Sequence, residues 1–245
     1  MSLLKSLTSD ASIAGERDSV GNGGPLDSGL YPAKIALAYL TKSQGGAVGL
    51  VLNLKADNGR DIRSTLWITS GTAKGGNNFY IDKEGAKQYL PGYNLANSLA
   101  LLAAGKELSE CDTDTKVTNV YSPEAKAEVP TKVEMVMDLL GKDVIVGLIK
   151  QIVDKTAKDA QGAYQPTGET REENEIDKFF RARDKMTTSE IRAQATEPAF
   201  YDTWDAKWTG KDRNKAKGVA AGGTAGVPKG AAAAASKKPT TSLFA

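Results

Sequence analysis

Two runs of alternating side chains joined by a turn signal constrain the fold of this chain more than any other feature. The residues from Val48 to Leu54 alternate between apolar and more polar types, and those from Asp61 to Thr69 repeat the pattern. Because successive side chains of a strand point to opposite faces, each run predicts a strand with one buried face. Asp57-Asn58-Gly59 between them supplies residues that a hairpin turn requires. The predicted core face comprises Val48, Leu50, Leu52, Leu54, Ile62, Leu66 and Ile68.

The length of this turn determines which residues face each other across the hairpin. A two-residue turn at Asn58-Gly59 would pair Leu54 with Arg63 and set a core residue opposite a solvent-facing one. A three-residue turn such as Asn58-Gly59-Arg60, or a bulge, restores agreement between the two faces. The resulting register places Asn53 beside Thr65 and Val51 beside Trp67.

The outer face of the hairpin combines an aromatic residue with cations and an amide. Trp67 shares this face with Lys55, Arg63 and Asn53. An exposed tryptophan among cations on a sheet is typical of surfaces that bind single-stranded nucleic acid. Further candidate contacts on neighbouring segments are Lys34, Lys42, Arg60, Lys74, Phe79 and Tyr80.

The composition excludes several kinds of catalytic site. The chain contains no histidine, which removes histidine-based acid–base catalysis, histidine-activated nucleophiles and nearly every zinc site. Its single cysteine, Cys111, cannot form a disulfide within the chain and suits a reducing compartment. The glycine-rich run 71–76 lacks the spacing of a phosphate-binding loop. A Mg²⁺ site made of carboxylates alone, such as Asp61, Asp112 and Asp114, stays open as an alternative.

Charge is distributed unevenly along the chain. Residues 211–245 contain seven Lys or Arg and one Asp, a net charge of +6, whereas the whole chain carries +2. The rest of the chain is therefore net acidic, so a surface for phosphates has to come from local clustering of cations. Alanine, glycine and lysine dominate the last segment, which predicts a basic tail without fixed structure. No apolar run reaches about 18 residues, so we expect no transmembrane helix.

The order of the predicted elements is that of a five-stranded OB-fold barrel with insertions, in a chain that is mainly β with helices (α+β). Strands are predicted at 30–40, 47–56, 61–70, 144–153 and near 175–182, with a helix at 93–104. In the first strand, Ile35, Leu37 and Tyr39 are expected on one face. The insertions at 76–90 and 112–140 are expected to hold a second hairpin, a short strand and a helix from Lys132 to Leu140.

These elements define four segments. We expect a flexible N-terminal arm at 1–28, an OB-fold nucleic-acid-binding domain at 29–184, helices packed on the body at 185–210 and a disordered basic tail at 211–245. The stripe Phe200, Tyr201, Trp204 and Trp208 is predicted to dock the last helix on the body.

Four short runs of the sequence resemble a known family. They are Gly29–Ile35, Leu66–Thr69, Tyr89–Leu95 and Pro166–Asn174. They are similar to the single-stranded DNA-binding proteins of short-tailed, podovirus-type bacteriophages, and the resemblance extends over about residues 29 to 217. It implies an OB fold and a protein that coats single-stranded DNA without regard to sequence during phage DNA replication and recombination.

The resemblance also implies partners and a location. We expect no catalytic activity and no cofactor, and the partners would be single-stranded DNA and phage replication or recombination proteins in the cytoplasm of the infected bacterial host. Many such proteins end in an acidic tail with an aromatic tip that recruits replication partners. Here the tail is basic, and Leu243 and Phe244 at its tip are the candidate partner-binding residues. Two other classes stay open: a virion structural or scaffold protein, and a Mg²⁺-dependent phosphoryl-transfer enzyme.

Overall fold

The structure, a computed structural model, describes residues 24–122, 124–160 and 163–217. This part of the chain contains ten strands and three α-helices, and its class is α+β with most of the regular structure in strands. None of its helices is long and apolar enough to cross a membrane. Residues 1–23 of the predicted arm, and 218–245 of the predicted tail with Leu243 and Phe244, lie outside the described residues.

The elements follow one another along the chain with a long insertion between the third and eighth strands. The strands are β1 (Gly29–Lys42), β2 (Val48–Ala56), β3 (Asp61–Trp67), β4 (Phe79–Ile81), β5 (Lys87–Tyr89), β6 (Thr113–Ser122), β7 (Ala127–Val136), β8 (Asp143–Lys158), β9 (Tyr164–Arg181) and β10 (Arg213–Asn214). The helices are α1 (Pro91–Ala103), α2 (Thr188–Arg192) and α3 (Ala199–Trp208). The predicted hairpin in the first insertion is confirmed as β4–β5, and the predicted helix after it as α1.

The strands β1, β2 and β3 form an antiparallel meander with its inner face on the main core. The leucines of β2 are fully buried, and Ile62 and Leu66 of β3 lie beside them. The alternation of the sequence therefore predicted both faces of this hairpin correctly.

The turn between β2 and β3 has three residues, as predicted, but they are Asp57, Asn58 and Gly59. Gly59 has a φ of +80° and donates its N–H to the carbonyl oxygen of Ala56 at 2.9 Å. Glycine adopts this left-handed conformation without steric cost, so it fixes the last position of the turn. The turn closes one residue earlier than predicted, and the predicted pairs were wrong by two residues. In the structure Asn53 faces Arg63, Val51 faces Thr65 and Gly49 faces Trp67.

The strand β1 pairs with three other strands of the sheet. Along one edge β1 pairs with β2, and along the other it pairs with β8 in its first half and with β7 near Tyr39. A bulge between Ile35 and Leu37 interrupts the register with β2. A bulge changes which residues share a face, so Ile35 and Ala38 are buried in the core while Leu37 and Tyr39 lie on the outer face. The prediction that Ile35, Leu37 and Tyr39 share one face was therefore wrong.

The sheet continues from β1 through β8 to β9, but it does not close. Among the described residues no backbone ladder joins β3 to β9, so the predicted closed barrel is not formed by strand pairing. Leu66 of β3 and Ile176 of β9 nevertheless belong to the same core. The helix α1 packs against β3, β8 and β9 and covers this open seam.

The predicted helix from Lys132 to Leu140 was wrong, because this region is the strand β7 followed by one 3₁₀ turn. Val133 and Met135 are buried with an exposed residue between them, which is the period of a strand. Met135 also pairs with Tyr39 of β1, a partner nearly one hundred residues away that the local pattern does not reveal.

The C-terminal helix α3 is docked on the outer surface of β8 and β9, as its aromatic stripe predicted. Trp204 is only 2% exposed and packs edge-on against Phe180. Its indole N–H donates to Asp177 Oδ2 at 2.9 Å, which satisfies the polar atom of the buried ring.

Residues 211–217 are ordered, contrary to the prediction of a disordered tail from residue 211. The strand β10 runs parallel to β8, and Arg213 donates hydrogen bonds to Asp177 and Glu175. Its guanidinium lies 5.4 Å from the ring centre of Trp208. These partners come from distant parts of the chain, so the composition of the segment could not indicate them.

We predict that a chain ending at Gly210 unfolds at lower urea concentration than the full chain, whereas a chain ending at Lys217 matches the full chain. The shorter one lacks β10 and the hydrogen bonds of Arg213 to two carboxylates. Hydrogen bonds to charged groups contribute about 1.5–3 kcal/mol each, and partial exposure reduces that, so the expected loss of unfolding free energy is about 2 kcal/mol. Equal stability of the two shortened chains would show that β10 does not stabilise the body.

Candidate nucleic-acid interface

Trp67 lies at the end of β3 with its indole across a glycine of the neighbouring strand. A side-chain carbon built on Gly49 would stand 3.0 Å from Cε3 and Cζ3 of the indole and 2.9 Å from Cγ2 of Thr65. The ring therefore uses the space that a side chain at residue 49 would fill. Trp67 still keeps 45% of its surface exposed. The strand pairing thus holds one aromatic ring against the backbone of the neighbouring strand and leaves it partly accessible from solvent.

A first groove, here called groove A, runs from Trp67 toward the β4–β5 hairpin and has a volume of about 880 Å³. Lys74, Phe79 and Tyr80 line it together with the first residues of α1. Tyr80 is exposed, and Lys87 holds its ammonium group 4.7 Å from the ring centre of Phe79. Groove A therefore combines aromatic rings with cations, the pairing of groups that proteins use for single-stranded nucleic acid.

A second groove, groove B, lies on the other side of Trp67 and has a volume of about 530 Å³. Its floor is the outer face of β1, β2 and β3, with Tyr39, Asn53 and Thr65, and one wall is the β6–β7 hairpin with Tyr121. Burial raises the pKa of the Tyr39 phenol, so this group is neutral at physiological pH and able to donate a hydrogen bond.

The predicted cations at the turn end of the hairpin are paired with carboxylates. Lys34 lies 2.6 Å from Asp143, and Lys55 lies 3.1 Å from Asp61. Arg60, also at this end, donates a hydrogen bond to the carbonyl oxygen of Gly24 at 2.9 Å. Partners of opposite charge reduce the attraction of these groups for a phosphate.

The cations at the Trp67 end of the sheet are not paired in this way. Among the described residues, Lys42 and Lys74 take part in no ion pair. The ladder between β2 and β3 places Trp67 six residues beyond the Asp61 position, roughly 20 Å along the strand. Lys42 and Lys74, two predicted cations without a carboxylate partner in the described part of the chain, therefore lie at the Trp67 end.

The three carboxylates considered for a magnesium site each have a lysine partner instead. Asp61 pairs with Lys55, Asp112 lies 3.6 Å from Lys106, and Asp114 lies 2.5 Å from Lys116. Across the described ranges, no group of three or more His, Cys, Asp or Glu side chains could hold a metal ion.

The structure brings together only part of the predicted site. Trp67, Asn53 and Arg63 line groove B, and Trp67, Lys74, Phe79 and Tyr80 line groove A. Lys34, Lys55 and Arg60 lie at the opposite end of the hairpin, and Lys42 ends β1 near Trp67.

Three residues of the interface were missed by the sequence reasoning. A glycine within a predicted strand marks close approach of another group, so Gly49 could have been recognised from the sequence. Tyr121 and Glu128 could not, because the position of the β6–β7 hairpin depends on its long-range pairing with β1.

No protein-family model matches this chain, and no curated protein matches it either.

We predict that Gly49→Val displaces the indole of Trp67. The added side chain would overlap the ring, which has to move toward solvent, so acrylamide should quench the tryptophan fluorescence more strongly than in the natural protein. The control is the double variant Gly49→Val/Trp67→Phe, in which only buried Trp204 and half-buried Trp208 remain and no increase is expected. Unchanged quenching in the single variant would contradict the contact.

Proposed function

We propose that this protein binds single-stranded DNA without regard to sequence and without catalysis. The observation that carries the proposal is the position of Trp67, which packs over Gly49, is partly exposed and is shared by both grooves. Every base has an aromatic face, so stacking on such a ring contributes affinity whatever the base. Bases of a duplex are stacked on each other and paired, so the single strand is the preferred ligand.

Charge supports the same ligand. Lys42 and Lys74 stand at the Trp67 end of the sheet without a carboxylate partner among the described residues. Cations that contact phosphates release the counterions condensed on the nucleic acid, which contributes affinity at low salt. Phosphates of a strand stacked on Trp67 would therefore pass along groove A and the β4–β5 hairpin.

The finer architecture that we propose is an OB fold opened at one seam. Its support is the order of the elements: the meander β1–β2–β3, then α1, then β8 beside β1, then β9. The helix between the third and fourth strands of an OB barrel covers one end of the barrel, and α1 packs against β3, β8 and β9 in a comparable place. The missing feature is pairing between β3 and β9.

The biological setting is proposed from the resemblance. The runs around Tyr31, Trp67, Pro91 and Glu169 resemble phage single-stranded DNA-binding proteins, so the protein would coat single strands during DNA replication and recombination in the cytoplasm of the infected bacterium. Replication or recombination proteins of the phage would be its partners, with Leu243 and Phe244 as candidate contacts.

The first test is the affinity of Trp67→Ala for single-stranded oligothymidylate, measured by fluorescence anisotropy beside a duplex of equal length. Loss of one stacking contact should weaken binding by about 1–3 kcal/mol. The unfolding free energy should change much less, because the ring is partly exposed. Wild-type affinity in this variant, or equal affinity of the natural protein for duplex and single strand, would contradict the proposal.

Trp204→Ala is the matched control, since it removes a tryptophan from the core and not from the grooves. Removing a buried large aromatic side chain costs about 3–5 kcal/mol of stability. This variant should therefore unfold early while its folded fraction binds DNA normally.

The second test separates the two ends of the sheet. Lys42→Gln/Lys74→Gln and Lys34→Gln/Lys55→Gln each remove two positive charges from strands or loops of the same sheet. The first pair should flatten the dependence of log affinity on log salt by about 1.4, because each phosphate contact on a single strand contributes about 0.7. The double variant Lys34→Gln/Lys55→Gln should change this salt dependence less, since Lys34 and Lys55 already face carboxylates. Equal effects of the two double variants would mean that the ion pairs do not decide where phosphates bind.

A further inference from the structure

Groove B is covered by an element that lies in an insertion of the predicted barrel. The β6–β7 hairpin pairs with β1 near Tyr39, and Thr118 and Val120 of the hairpin line the groove opposite Val51. Tyr121, 60% exposed, stands on the rim. The hairpin therefore converts an open sheet face into a groove with two walls.

The lining of groove B suits a nucleobase better than a chain of phosphates. Among the described residues that line it, only Arg63 and Glu128 are charged, and the other side chains are aromatic, aliphatic, hydroxyl or amide groups. Asn53 Oδ1 is buried and has no hydrogen-bond partner within the described part of the chain. Because that oxygen is buried, it is not itself a contact for the ligand, and a base bound here would find an aromatic face at Tyr121 or Trp67.

One ion pair connects the hairpin to the sheet across this groove. Arg63 Nη1 donates to Glu128 Oε1 at 3.4 Å, and both side chains are mostly exposed, 64% and 50%. Exposed ion pairs contribute little to stability, so this one is readily exchanged. A phosphate accepts two hydrogen bonds from a guanidinium as a carboxylate does, and it carries at least as much negative charge.

We infer that groove B is a second subsite for the same DNA strand, in which a base lies beneath the β6–β7 hairpin and a backbone phosphate replaces Glu128 on Arg63. The inference rests on the proposed function, and it assigns to Glu128 a role that opposes DNA binding. Glu128 competes with the ligand for Arg63 in the free protein, so removing its charge should strengthen binding and not weaken it.

The experiment is a double-mutant cycle on Arg63 and Glu128. The affinity for fluorescent oligothymidylate is measured at low salt for the natural protein, Glu128→Gln, Arg63→Gln and the double variant. Glu124→Gln is the matched control, because Glu124 lies in the exposed turn of the same hairpin and its loss changes the net charge equally. Circular dichroism and urea unfolding check that each variant is folded.

We expect Glu128→Gln to bind about twofold to fivefold more tightly, the range that corresponds to an exposed ion pair. Glu124→Gln should give a smaller gain, and the gain from Glu128→Gln should disappear when Arg63 is already Gln. An equal gain in the Arg63→Gln background would show a general charge effect and overturn the inference.

If Trp67→Ala weakens binding but the cycle shows no coupling between Arg63 and Glu128, the subsite in groove B is refuted while the proposed function stands. If the natural protein binds no single-stranded DNA, the proposed function fails and the inference with it.

Photo-crosslinking gives a second, positional readout. An oligothymidylate that carries 5-iododeoxyuridine is irradiated with the natural protein, and the modified residues are located by mass spectrometry. Groove B predicts an adduct on Tyr121 as well as on Trp67. Adducts that occur on Tyr80 and Trp67 but never on Tyr121 would confine the strand to groove A and overturn the inference.

Discussion

The arrangement of the whole sheet depends on the bulge in β1. Before the bulge Ile35 points into the core, and after it Ala38 does, so the strand remains amphipathic although its alternation shifts by one residue. The shift turns Leu37 and Tyr39 outward, where they form the floor of groove B. It also lets one strand of fourteen residues bend and pair with β2 on one edge and with both β7 and β8 on the other. Bulges increase the local twist of a strand, which such a shared strand requires.

The same sheet carries two regions of different electrostatic character. At the turn end, Lys34 and Lys55 face carboxylates, Asp143 and Asp61, that strand pairing brings into contact. At the other end, β3 stops at Trp67, and the chain continues into a loop whose Lys74 has no carboxylate partner among the described residues. A chain that is net acidic outside its last segment can in this way present a local positive surface. The aromatic ring stands at the boundary between the paired and the unpaired cations.

The features that could be predicted from the sequence are those decided within a few residues. Alternation identified the inner faces of β2 and β3, and the leucine spacing identified α1, because burial imposes these periods locally. The register failed because one φ angle, that of Gly59, decides where the turn closes. The helix predicted at 132–140 failed because pairing with β1, which is distant in sequence, determines the conformation of β7. The same distinction applies to the candidate site. The alternation within β3 predicted that Trp67 lies on the outer face, whereas its contact with Gly49 depends on the register between β2 and β3, which was predicted wrongly.

Residues 211–217 show why composition alone predicted disorder in a segment that is ordered. Residues 211–217 are polar and basic, which locally favours disorder. Arg213 is ordered because Glu175 and Asp177 stand two residues apart on one face of β9, and Asp177 already accepts the indole N–H of Trp204. Docking of α3 thus fixes one carboxylate, and that carboxylate helps to fix β10. The backbone N–H of Lys217 then donates to Asp154 of β8, at the far end of β8 from its pairing with β1. Because the ordered conformation of residues 211–217 depends on two acidic residues of β9, it follows from the fold and not from the local sequence.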